Sequence, residues 1–134
     1  MNISSELQSY CYNLINELAR VFNTVLTSGF EYELGFDKVM SILGVPDKPR
    51  SAILWTSKHH ADISGIPYKK LSPVNQFLIT ALPYIWYCLI NKPPADLDKE
   101  KVHELLNSDE FGDFIRRLSE KVSQEVKGAL WKPF

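Results

Sequence analysis

Between Val74 and Ile90, thirteen of seventeen side chains are apolar or aromatic, so a helix built from this stretch is oily on nearly every face and calls for cover all round. Ser72 supplies an N-cap, Pro73 sits at the first helical position where a missing N–H costs nothing, and Pro93-Pro94 ends the run. The pattern therefore predicts a central helix over about 72–91, with Leu82 and Ile85 in its core. Pro83 leaves the carbonyl of Ile79 without its usual donor and predicts a kink. The uninterrupted apolar part, Phe77 to Ile90, is 14 residues, short of the roughly 20 that span a bilayer. A buried core helix is the reading, and a membrane role is not expected.

The remaining apolar positions repeat at helical spacing. Leu7, Cys11, Leu14, Leu18, Val21 and Val25 form a heptad seam along a first helix over 4–28, with Ser5 and Gln8 at capping-box spacing and Gly29 as its stop. Such a seam packs into its own domain or pairs with a second copy as a homodimer. Phe30 to Leu34 alternates apolar and acidic residues and reads as an extended connector. A short helix follows over Phe36–Leu43, and a third from near Pro49 to about Asp62, with Ile53, Thr56, His60 and Ile63 as its stripe. Ser64 to Leu71 reads as an exposed loop. Beyond the central helix, Asp96 or Asp98 caps a short helix to about Leu106. Ser108 caps the last, whose buried stripe runs from Phe111, Phe114, Ile115, Leu118, Val122 and Val126 to Ala129 and Leu130. The expectation is an all-α, single-domain bundle of five to six helices over 1–134, arranged around a Pro-kinked apolar helix.

With 134 residues, 45% hydrophobic and 23% charged, the chain has the balance of a folded domain able to bury a core without metals or disulfides. Cys11 and Cys88 both fall in apolar helical patterns and read as core thiols of a reducing compartment. The first thirty residues carry Glu6 and Glu17 and lack a basic start followed by an apolar run, so a cytoplasmic location is expected.

The net charge of −1 conceals an uneven distribution: residues 1–47 balance at −4, 48–70 at +4 and 95–125 at −4. The basic segment carries the candidate contact residues Arg50, Trp55, Lys58, His59, Tyr68, Lys69 and Lys70. The helices on either side of G-V-P-D-K-P-R invite a helix-turn-helix reading, against which stand two prolines in the turn and a first helix of barely two turns.

His59 and Asp62 at i, i+3 have the spacing of two metal ligands, but a third would have to come from a distance, His103 being the only other histidine besides adjacent His60. No G-x-S-x-G elbow, Gly-rich phosphate loop or HExxH spacing is present. Neither a metal, a cofactor nor a catalytic set is expected. The reading is a non-enzymatic protein-interaction module of adaptor, inhibitor, immunity or assembly-factor type, because aromatic and Arg side chains dominate interface energetics. Nucleic-acid binding through segment 48–70, with Trp55 or Tyr68 available for stacking, is the alternative.

Overall fold

The computed structural model describes residues 3–26 and 32–126, with the side chains of 32–34 left aside. The described residues form one all-α bundle of six helices and no strand: α1 (Ser5–Leu26), α2 (Tyr32–Ile42), α3 (Asp47–Ser64), α4 (Pro73–Asn91), α5 (Lys99–Leu106) and α6 (Asp109–Glu125). A 3-10 turn, Tyr68–Lys70, joins α3 to α4. Helix α4 is the centre, packed by α1, α3, α5 and α6.

The central helix starts where its sequence says it should. The Ser72 hydroxyl accepts the Asn75 N–H at 3.2 Å, and Pro73 takes the first helical position. Pro83 is buried within a helix that continues unbroken to Asn91. Phe77, Ala81, Ile85 and Leu89 are wholly enclosed, and Phe77 meets Phe22 of α1 edge-on with ring centroids 6.2 Å apart. At the C-terminal end the Tyr10 hydroxyl donates to the Lys92 carbonyl at 2.6 Å and stands 3.1 Å from the carbonyl of Cys88, which also accepts the Lys92 N–H.

Helix α1 spends its seam inside the chain. Leu7, Cys11, Leu18, Val21 and Val25 are buried together with Ile15, Ala19, Phe22 and Leu26. Of the two uses expected for the seam, packing within its own domain is the one these side chains make. The expected Ser5–Gln8 capping box is replaced by a simple cap: Ser4 accepts the Leu7 N–H at 3.2 Å, and Gln8 donates to the Ile3 carbonyl. Gly29, its expected stop, lies outside the described residues.

The extended connector is overturned over 32–34, where α2 has already begun. Alternation over five residues was a weaker guide than the burial of Phe36, Val39 and Met40 at i, i+3, i+4. A lone strand would leave its N–H and C=O groups unpaired, whereas a helix pairs them internally. Phe30 lies outside the described residues. Helices α2 and α3 end alike: glycines at positive φ, Gly44 (78°) and Gly65 (85°), let the next N–H reach back five residues, Val45 to Met40 and Ile66 to Ala61.

Helix α3 turns a different face inward from the one its large residues mark. Ile53, Ser57 and Ala61 are buried, while Ile63 is 73% exposed and His60 half-buried. The expected stripe is thus rotated, because short side chains at 57 and 61 let the backbones of α3 and α4 approach closely. Asp98 caps α5 and Ser108 caps α6, at 2.9 and 3.2 Å. On α6, Phe111, Ile115 and Val122 are buried with Ser119 and Ser123; Ala129, Leu130, Trp131 and Phe134 lie outside the described residues.

Candidate interaction surface

The fold divides the seven candidate contact residues. Arg50 is structural: its guanidinium bonds Asp37 at 2.6 Å, lies 3.3 Å from Asp47, and donates to the Val45 carbonyl from Nε and Nη2 at 3.3 and 2.9 Å. It ties the middle of α2 and the turn that follows it to the start of α3. Tyr68 is likewise corrected from a surface aromatic to a core residue, only 3% exposed. The 3-10 turn folds against α3 and carries the ring inward until its hydroxyl stands 3.1 Å from that of Thr80 on α4. Burial pushes this phenol well above its usual range.

The other five keep a solvent side. Trp55 is 66% exposed and lies flat against His59, with rings nearly parallel and centroids 5.2 Å apart. Four-residue spacing stacks these two on one face of α3, beside half-buried Lys58. Lys69 and Lys70 are exposed on the turn beyond. His60 points elsewhere, its centroid 6.4 Å from that of His59, and burial together with its neighbour holds its pKa below the usual value. Among the described residues, no three His, Cys, Asp or Glu side chains gather as a metal site would require. Cys11 and Cys88 are both buried; the Cys11 thiol is pushed up to about 12 by burial and then by Cys88, so it stays protonated at neutral pH.

A surface that the residue pattern did not mark emerges on α4. The expected cover all round is incomplete: Ile85 is enclosed, but Leu78, Ile79, Leu82 and Trp86 are only half-buried and Ile90 is 62% exposed. At the N-terminal half of α4, Leu78, Ile79 and Leu82 floor a groove walled by His60 and Ser64 of α3 and by Gly112, Asp113 and Arg116 of α6. Further along, Trp86 and Ile90 line a second depression against Ala52 and Thr56 of α3. Ile66 borders the first groove, and with Ile63 it extends exposed apolar surface around the end of α3. The signal was present only as excess: an all-round apolar helix carries more oil than its neighbours cover, and nothing in its sequence says which side stays open. By length and composition α4 passes for a membrane span, yet 56% of it is buried in the bundle.

These features define a six-helix bundle with two partly apolar depressions beside its central helix, one between α3 and α6 and one against α3. Compared with protein families, with curated proteins and with solved structures, the chain matches none.

Proposed function

We propose that this chain is a protein-binding module that acts by occupancy, holding a partner against the groove beside α4 and the adjoining end of α3. The observation that carries the reading is the half-open floor of Leu78, Ile79 and Leu82 with exposed Ile66 on its rim, on a bundle that also leaves Ile63 and Ile90 outside. Contiguous exposed apolar surface rimmed by polar residues is characteristic of interaction sites. Affinity isolation of the tagged chain from its own cells, with and without nuclease, tests it. A stoichiometric, nuclease-resistant protein that is lost from the double variant Ile63→Glu/Ile66→Glu is the expected result, with the variant's melting temperature unchanged. Recovery of nucleic acid alone would overturn the reading.

Nucleic-acid binding stays as a second reading because of one arrangement. The flat Trp55–His59 stack offers a platform for a base beside Lys58, on the helix that follows the Gly44 turn. Helix α2 has 11 residues, three turns rather than the two expected, so the joint is closer to a helix-turn-helix than its sequence indicated. Arg50 and Tyr68 are already engaged within the fold and are withdrawn from this reading. Replacing Lys58, Lys69 and Lys70 by Ala should then weaken binding to all sequences alike and flatten its salt dependence.

A further inference from the structure

We infer that Cys11 and Cys88 are a redox-sensitive pair that closes to a disulfide across the interface of α1 and α4, tying the first turns of α1 to the last turn of α4. They are the two cysteines of the chain, and both are buried in the same core. This device is independent of what the outer surface binds.

Two contacts fix how the helices pair. Phe22 meets Phe77 edge-on, and the Tyr10 hydroxyl bonds the Lys92 carbonyl and stands 3.1 Å from that of Cys88, so α1 and α4 run antiparallel. Cys11 lies 11 residues before Phe22, and Cys88 lies 11 residues after Phe77. Eleven residues make three helical turns to within about 20°. Each thiol therefore sits on the side of its helix that carries the ring contact, and about 16 Å of travel in opposite chain directions brings both to one level. Between the rings and the thiols, Ala19 and Ala81 are wholly enclosed, small enough to let the backbones approach. Packed helices with axes about 8–10 Å apart hold facing Cα atoms roughly 3.5–5.5 Å apart. That overlaps the span of about 4.4–6.8 Å that a disulfide accepts. The nearness is also felt electrostatically, since the Cys11 thiol is pushed up first by burial and then by Cys88.

The two thiols differ in reactivity. Burial raises the Cys88 thiol as well, but a hydrogen bond with Tyr84 and the charge of Lys92 work in the other direction. Cys88 also keeps 3% of its surface in solvent, against none for Cys11. A hydroperoxide that reaches the end of α4 therefore reacts at Cys88 first. The Cys88 thiolate attacks one peroxide oxygen, the O–O bond breaks, and a sulfenic acid forms as the other oxygen leaves in water. The Cys11 sulfur then attacks the Cys88 sulfur; the S–S bond forms, the S–O bond breaks, and a second water carries away the thiol proton. Two electrons pass from the two thiols to one peroxide, and a dithiol reductant returns them by exchange.

The test treats the full, reduced chain with hydrogen peroxide under native conditions and maps its peptides by mass spectrometry. The expected product is a monomer lighter by two hydrogen atoms, in which the Cys11 peptide is joined to the Cys88 peptide. Closing a long loop restricts the unfolded chain, so the oxidised form should melt about 10 °C higher, and dithiothreitol should restore the original temperature. Peroxide should produce no such rise in Cys11→Ala or Cys88→Ala. The peptide map of the original chain decides the pairing even where a variant fails to fold. Two free thiols after treatment, bonds only between chains, oxidation to sulfinate with no S–S bond, or a bond that forms only in denaturant would each overturn the pairing. A disulfide that lowers the melting temperature would overturn the tie between the helices, because they would have to separate to make it.

Discussion

Helices α1 and α3 pack against the same central helix in opposite ways. α1 buries nine residues, most of them large, and interlocks Phe22 with Phe77; α3 buries only Ile53, Ser57 and Ala61 and leaves Trp55 and Ile63 in solvent. One contact is made by volume, the other by close approach of backbones. A helix held by small residues keeps its bulky ones free for other work. The buried serine of α3 is no burden, since its hydroxyl donates to the Ile53 carbonyl one turn back, at 2.9 Å.

The difference is open to direct attack, beginning on the α1 side. Phe22→Ala should cost about 3–5 kcal/mol in urea denaturation, the range for removing a fully enclosed phenylalanine. A loss below about 1 kcal/mol would show that α1 is not the main wall of the core. On the α3 side the damaging change is addition. Ala61→Leu forces bulk into a contact only 1% exposed and should cost about 1–3 kcal/mol; a neutral result would mean that α3 and α4 have slack between them. Trp55→Ala and Ile63→Ala, by contrast, should each stay within about 0.5 kcal/mol of the original chain. A larger loss at either would place another part of the chain over that face and sink the claim that it is free.

The smallest effect concerns pH. Burial, and then His59, keeps the folded-state pKa of His60 below its ordinary value of 6.5, so the unfolded chain takes the proton first. Stability is therefore full above about pH 6.5 and declines as pH falls from there toward the folded-state value. The melting temperature of the chain should drop more between neutral and mildly acidic pH than that of His60→Gln. Parallel curves would mean that His60 takes its proton in the groove wall without penalty.

Much of the architecture was legible along the chain because it rests on local rules. Ser72, Asp98 and Ser108 cap where short polar side chains precede apolar runs, and Gly44 and Gly65 stop helices where a positive φ is needed. The start of α2 was not legible, since five alternating residues fit the first turn of a helix as well as a strand. Nor was the fate of Arg50 and Tyr68. Both have the chemistry of contact residues, and both were claimed by partners distant in sequence or turned away from solvent: Asp37 and the Val45 carbonyl for one, Thr80 for the other. The exposed cations and Trp55 were readable as candidates, but the groove floored by α4 was not.

By itself the sequence determined an all-α bundle, the identity of its central helix and most helix ends, because periodicity, capping and φ preferences act over a few residues. Only the tertiary structure decided which face of α3 turns inward and which strip of α4 stays open. Those outcomes depend on how closely two backbones approach, and that distance is set by small side chains at Ser57 and Ala61, where a reading of hydrophobic pattern gives most weight to the large ones.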